Sequence, residues 1–466
     1  MRPDLSVQGT ATAIEGPLLF LRRNVEVGLN EAVEIRGGGE KPRLGRVAAL
    51  DEKVMVIEVL ESTVGLGLRD VRVRFFGEAL HAALGPGLLG RIFDGVGQPA
   101  DGGPPVAAAK RLRIDGTPIN PAARELPKDF IETGVSAIDL MNSLVRGQKL
   151  PLFSGGGMPH DRIATEIAQH ARLRREGEGT FAVVFVGIGI SHDTAEAFRR
   201  AMQESGALAH TAMFLNLASE PSTQRLLTPR CALTAAEYLA AEEGRHVLVI
   251  MTDMTNYCEA LREVSASHGE VPSRKGYPGY MYSDLASIYE RAGYVRGVKG
   301  TVTQLPILTM PAEDISHPIP DLTGYITEGQ VVLDKTLDHK GIYPPINVLP
   351  SLSRLMDQGI GAGFTHADHP SLAGQLFASY AKATRVRVLA SVVGRDGLTD
   401  IDRDYLEFAD QFERGLIHQL GPRTLEESMA MGWRVLHRLP RAELTRLSDA
   451  QISRYLRSDF QEKPHA

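Results

Sequence analysis

Residues Phe153–Ile167 read FSGGGMPHDRIATEI. An apolar strand candidate, Lys149–Phe153 (KLPLF), runs into three glycines, Gly155, Gly156 and Gly157, and then into a segment whose Ile163, Ile167 and Ala171 fall on one helical face. A strand, a glycine-rich turn and a helix in that order aim backbone N–H groups and a helix N-terminus at a phosphate. The scaffold for holding a nucleotide is written here, but its chemistry is not. A working loop reads G-x-x-x-x-G-K-[ST], with lysine on the β- and γ-phosphates and a hydroxyl on magnesium. In this chain Ser154 stands for the first glycine, Pro159 for the second, His160 for the lysine and Asp161 for the hydroxyl. Proline removes an N–H donor, histidine lacks a fixed charge at neutral pH, and aspartate adds a negative charge beside the phosphates. The turn Ser154–Asp161 is therefore read as a degenerate phosphate loop that holds nucleotide weakly or not at all.

Working outward, four more apolar runs share the character of the first: Phe181–Gly189 (FAVVFVGIG), Thr211–Ala218 (TAMFLNLA), His246–Asp253 (HVLVIMTD) and Val302–Met310 (VTQLPILTM). Most are followed by segments of helical period. Continuous apolar strands alternating with helices predict a parallel sheet covered on both faces, with ligands at the carboxyl ends of the strands. Asp253 ends one such run. Two readings of it stand: a Walker-B-like carboxylate holding a magnesium-bound water, or the N-cap of the helix that follows.

Before this region, Arg46–Glu61 and Val71–Phe76 alternate polar with apolar residues between closely spaced turn signals, which predicts a small antiparallel β-barrel. The tract Gly95–Pro105 (GVGQPADGGPP) excludes long regular elements and marks a linker. Beyond about Met356, Asp404–Leu420 and Thr424–Leu439 carry apolar residues at helical spacing. The chain is thus read as multidomain: an N-terminal β-barrel (1–76), a central RecA-like α/β domain with its preceding linker (77–356), and a C-terminal α-helical domain (357–466).

Composition narrows the function. Hydrophobic residues make up 43% of the 466 and charged residues 23%, ordinary for a soluble globular chain. No run approaches the roughly 18 apolar residues that span a bilayer, and the start MRPDLSVQGT has no apolar core of a secretory signal, so a cytoplasmic location is expected. A net charge of −6 argues against a nucleic-acid partner, since neutralising phosphates takes clustered Lys and Arg. Cys231 and Cys258 lack metal-binding spacing and are expected to be buried free thiols, and no metal site is expected in the chain itself.

Later in the chain, Pro344–Arg354 reads PPINVLPSLSR. This resembles the signature P-[SAP]-[LIV]-[DNH]-x-x-x-S-x-S of the nucleotide-binding subunits of rotary ATPases, matching at Pro344, Pro345, Ile346, Asn347, Ser351 and Ser353. Gly90–Gly102, Glu132–Gly157 and Pro221–Ala240 resemble the same family in the same order. Catalytic members keep an intact loop and a G-E-R segment whose glutamate activates water, whereas this chain reads GIGISHDTAE (Gly187–Glu196) there. The non-catalytic F-type subunit keeps the loop lysine, which is also absent. With Ser273–Gly293 and Asp321–Gln330, the resemblance is to the B subunits of V-type and archaeal-type (V/A-type) ATPases.

That resemblance implies a regulatory subunit, non-catalytic alone, three copies of which alternate with three catalytic A subunits in a hexamer. It implies ATP or ADP with magnesium at the interface, and central-rotor and peripheral-stalk partners. It also implies an indirect link to a membrane sector that moves protons or sodium ions, so that the complex is peripheral on the membrane. An arginine directly after the signature would reach into the neighbour's site as an arginine finger; by position this is Arg354. An arginine in trans is worth roughly 10³- to 10⁵-fold in phosphoryl transfer. Ser351, Ser353 and Tyr325 would lie near the interface and its nucleotide, although Tyr325 reads equally as a core tyrosine with a satisfied hydroxyl. Two alternatives stay open: a nucleotide-sensing scaffold that still holds ADP weakly, and a self-sufficient hexameric ATP motor with an unorthodox loop.

Overall fold

A computed structural model describes residues 5–8, 11–37, 41–117, 119–174 and 180–456; the outer ends of the ranges read above, 1–4 and 457–466, lie outside them. The chain divides into two units, the first comprising residues 1–124, 182–291 and 295–302, the second 125–181, 292–294 and 303–466.

The first unit opens with a seven-stranded antiparallel sheet. Its apolar positions meet across the ladder: Leu19 faces Ile57, Leu21 faces Met55, Val33 faces Phe75 and Ile35 faces Val73. All eight are at most 4% exposed and share one cluster with Val47, Val59 and Val71. Period-two alternation puts every second side chain on that inner face. The edge strands of the sheet are Leu5–Gln8 and Ala11–Glu15. Three peptide links hold Gln8 and Ala11 within about 11 Å, so the two edges come together and the sheet rolls into the expected barrel.

The same unit carries strands Ile92–Asp94, Phe181–Ile190, Thr211–Leu217 and His246–Thr252, running parallel where Phe181–Ile190 meets Thr211–Leu217 and where that strand meets Ile92–Asp94. His246–Thr252 is buried at every position, as a strand covered on both faces must be. Helices His192–Glu204, Ser222–Ala241, Met254–Ser267 and Met281–Tyr289 accompany them. Cys231 and Cys258 are free and buried in the second and third of these helices, and burial pushes both thiols upward, Cys231 to about 12.

In the second unit, Leu152–Ser154 lies between Thr301–Thr309 and Gly329–Leu333 and is parallel to both. Ile346–Ser353, within the signature-like segment Pro344–Arg354, completes this half-sheet as an antiparallel strand on Gly329–Leu333. The sequence did not announce that strand, because its one proline and two serines are poor strand formers.

The helix after the glycine turn spans His160–His170 and buries Ile163, Ala164, Ile167 and Ala168. Ala171 lies one residue past its end, in extended backbone, so the apolar face is one turn shorter than its spacing predicts. The C-terminal helices are His369–Val393, Asp400–Gln411 with a wider turn over Phe412–Ile417, Leu425–Leu436 and Asp449–Tyr455. Capping boxes Thr399/Asp402, Thr424/Glu427 and Ser448/Gln451 set the start of the last three, each satisfying two helix-end donors. The longest, His369–Val393, is apolar on most sides and has no helical stripe that periodicity detects. Among the described residues no helix is long and apolar enough to cross a membrane.

Candidate functional site

The glycine turn is closed on itself. Gly157 takes φ +79°, which a side chain would strain. The Met158 N–H donates to Gly155 O at 3.2 Å and the His160 N–H to Met158 O at 2.9 Å, while Pro159 has none to give. The His160 ring turns inward, with Nδ1 3.0 Å from Ser154 Oγ, and its Nε2 lies 3.7 Å from Asp161 Oδ1. Two backbone donors and the His160 ring are therefore engaged within the turn, the lysine and hydroxyl are missing, and Asp161 contributes charge of the wrong sign. Gly155 lies against Glu313 and Lys335, which pair with each other. Lys335 is thus already committed to a carboxylate, held by a backbone with positive φ at Ala312 and Glu313. Sequence reading missed this pair because both residues lie far along the chain from the turn. The turn lacks the lysine and the hydroxyl with which a working loop holds a magnesium triphosphate.

The signature strand is built for support. Its register against Gly329–Leu333 breaks between the pairs Gln330–Leu352 and Val332–Asn347, where Ser351 replaces the missing ladder bonds. Ser351 Oγ accepts from Val332 N at 2.9 Å and donates to Asn347 O at 2.6 Å. Ser353 Oγ donates to Ser143 O at 2.8 Å and accepts from Gln148 Nε2 at 3.0 Å. Both serines are buried, with their hydroxyls pointed into the unit and not outward. Gly329 is required by close approach: at φ +137°, a Cβ there would sit 2.0 Å from Leu352 O.

Arg354 follows directly. Its N–H donates to Glu328 O at 3.0 Å and its Nη1 to Thr327 O at 3.1 Å. Glu328 is itself fixed, its carboxylate taking Lys149 N at 2.8 Å and Lys149 Nζ at 2.8 Å. The support of Arg354 thus comes from Gln148, Lys149, Thr327 and Glu328, none of which the sequence singled out; their signal is only the spacing of three strand ends. The Arg354 side chain is exposed, and among the described residues no carboxylate lies within ion-pair distance of it. Tyr325, on helix Pro318–Ile326, is 74% exposed, so it is not a core tyrosine.

The turn and the signature touch through Tyr343. Its ring lies under the Arg162 guanidinium at 3.8 Å and its hydroxyl donates to Glu166 at 2.8 Å, both on the helix after the turn. Burial and that carboxylate push the phenol well above its usual range.

In the first unit, Asp253 Oδ1 accepts from Thr255 N at 2.8 Å and caps helix Met254–Ser267, the second of its two readings. The segment Gly187–Glu196 buries Ile188 and Ile190, and its carboxylates, Asp193 and Glu196, lie on the following helix. Glu196 is held by Arg199 at 2.6 Å, and that bond lowers its pKa. These residues line a crevice of about 520 Å³ with Asp94 and Glu220, whose carboxyls burial pushes upward. Among the described residues no group of three or more His, Cys, Asp or Glu side chains could hold a metal ion.

A parallel half-sheet, a glycine turn feeding a helix, and a signature strand ending in an exposed arginine define the class: a subunit with the nucleotide-binding fold of rotary ATPases. Residues 134–353 match the ATP synthase alpha/beta family, nucleotide-binding domain, and residues 358–456 the C-terminal domain of V and A type ATP synthase. The chain is 52% identical over 447 residues to the V-type ATP synthase beta chain of Halothermothrix orenii, covering 96% of each. It is similar to the solved structure of the unique ATP synthase subunit NeqB from Nanoarcheaum equitans, with 37% identity, a TM-score of 0.73, and coverage of 91% of this chain and 100% of that one. The chain belongs to the B-subunit family of the V/A-type ATP synthases.

Proposed function

We propose that this subunit is non-catalytic by itself and works by lending Arg354 to the ATP site of a catalytic A subunit, three of each alternating in a hexamer. The observation that carries this is the contrast at Arg354: a main chain bonded to Glu328 O, and a guanidinium exposed with no carboxylate within ion-pair distance among the described residues. Arginine suits the task because its planar fork stays charged and bonds two phosphate oxygens at once. Ser351 and Ser353 act in this reading as positioning residues, and Tyr325 as an exposed contact at the same seam. Magnesium with ATP or ADP would sit at the interface, while Asp253 serves this chain as a helix cap. The rotor and stalk partners, the coupling to proton or sodium movement, the peripheral place on a membrane, and the division at 1–76, 77–356 and 357–466 belong to the same proposal.

The test is reconstitution with a catalytic partner. Arg354→Ala should leave assembly intact and lower ATP hydrolysis by at least about a hundredfold, on the magnitude of a finger supplied in trans. Near-normal turnover in an assembled complex would show that another residue does this work.

A further inference from the structure

The first unit holds a second cavity, of about 200 Å³, between strand residues of the barrel and helices Ser222–Ala241, Met254–Ser267 and Met281–Tyr289. Glu58, on strand Val54–Val59, lines it with a side chain only 1% exposed. Its Oε2 accepts from Nε of Arg46, the residue opposite it in the ladder. Its Oε1 is buried and has no hydrogen-bond partner. Leaving a buried carboxylate oxygen unpaired is costly, and such atoms in folded proteins ordinarily meet a donor.

Asn30 and His268 also line the cavity, but neither bonds this oxygen, and the strongest donors of the opposite wall are engaged elsewhere. Asp284 takes Arg230 on one oxygen at 2.7 Å and the Tyr257 hydroxyl on the other, so those donors are spent on each other. Among the carboxylates and guanidinium groups of the lining, which also holds His268, Arg46 cancels Glu58 and Arg230 cancels Asp284, which leaves Asp115 as surplus negative charge, with Arg113 3.6 Å away outside the lining. Leu226, Leu261 and Val264 make one side apolar. Tyr280, 43% exposed, stands at the rim and marks the way in. No cluster of three metal-binding side chains is present among the described residues. The cavity therefore asks for a cation that brings its own N–H donors and a short apolar tail. A volume near 200 Å³ corresponds to about six or seven waters at roughly 30 Å³ each, the size of a ligand with a similar number of heavy atoms.

We propose that this cavity binds a small protonated primary amine, its ammonium donating to Glu58 Oε1 and its alkyl chain lying against Leu226, Leu261 and Val264. Such a ligand would bridge the barrel to the helices and stabilise the folded chain in proportion to its occupancy.

The experiment uses the full chain, with butylammonium chloride as the probe and calorimetric titration and thermal unfolding as readouts. Sodium chloride and potassium chloride at equal ionic strength, and butan-1-ol as the uncharged analogue, are the controls. Saturable butylammonium binding that raises the unfolding temperature, absent with all three controls and weakened at least tenfold in Glu58→Gln, is the expected result. Val264→Met, which fills the apolar wall without touching Glu58, should weaken it as well and serves if Glu58→Gln does not fold. No binding, which would mean that the cavity holds water only, overturns the proposal. An equal effect from either salt or the alcohol, or unchanged affinity in a folded variant, does the same.

Discussion

The glycine turn Ser154–Asp161 and the signature strand Ile346–Ser353 lie two strands apart in one half-sheet, and they dispose of their polar groups in opposite ways. The turn consumes its own donors: Met158 bonds Gly155, His160 bonds Met158, and the His160 ring settles on Ser154. The strand also satisfies its hydroxyls internally, through Ser351 and Ser353, but the next residue carries a full charge into the open. A site that acts on a neighbour needs rigid support beneath a group with donors to spare, and of these two regions the strand end is the one that has it. The turn keeps the strand–turn–helix order of a phosphate loop and lacks its lysine and hydroxyl.

The largest effect should come from separating the two regions in one assay. In a complex with a catalytic partner, Arg354→Ala should lower hydrolysis at least about a hundredfold, with Arg354→Lys falling between it and wild type because a point charge cannot bond two oxygens in plane. His160→Ala should leave turnover unchanged. If the histidine variant were the slower, the comparison would be inverted, and the turn rather than the strand end would carry the activity.

Next comes the support itself. Gly329→Ala places a Cβ 2.0 Å from Leu352 O at a φ of +137°, so the signature strand must move away. A cost of about 3 kcal/mol is expected from strain and overpacking together. Denaturant unfolding of the isolated chain should show it, and turnover in the complex should fall as the Arg354 main chain loses its place. A variant as stable as wild type would mean that the strand tolerates a shift the geometry forbids.

What the sequence told and withheld follows the same division. The turn was legible because three adjacent glycines between an apolar strand and a helical stripe are a local pattern, and the losses at Pro159, His160 and Asp161 can be read one residue at a time. Arg354 was legible only through resemblance, since an isolated arginine says nothing about where it points. Its platform was not legible at all: Gln148 and Lys149 meet Glu328 and Ser353 across some 180 to 205 residues of chain, and no periodicity records that. The fold divided likewise. Parallel strands such as Phe181–Ile190 declared themselves as apolar runs, whereas helix His369–Val393, apolar on most sides, has no stripe to read.

Acidification offers a control on stability that leaves Arg354 untouched. His369 is buried with Nε2 2.9 Å from Leu140 O, and burial holds its pKa down at about 4. The unfolded chain, with histidine near its ordinary value of about 6.5, binds the proton first, so this residue's contribution is complete above about pH 6.5 and is lost as pH falls toward 4. The loss is about 3 kcal/mol over that window. Asp139 runs the other way: burial pushes its carboxyl up to about 7, so the folded chain holds the extra proton and this residue's contribution fades as pH rises toward 7. Unfolding measured from pH 7 to 4 in wild type and His369→Gln separates the two. The glutamine variant should lose stability less steeply on acidification, and parallel curves would remove His369 from the account.

The smallest expected effect is the one that most sharpens the comparison. Gly156 is exposed, and a Cβ built on it meets nothing within 4 Å, so Gly156→Ala leaves the fold as it is. In a working phosphate loop the backbone approaches the ligand closely at such a position, and a methyl group there would obstruct it. If the turn holds no nucleotide, binding of ADP or ATP to the isolated chain and turnover of the complex should both be the same in variant and wild type. Measurable ADP binding by the wild-type chain that Gly156→Ala abolishes would restore the turn as a weak nucleotide sensor. The two regions would then differ in which nucleotide they touch, this chain's own or its neighbour's.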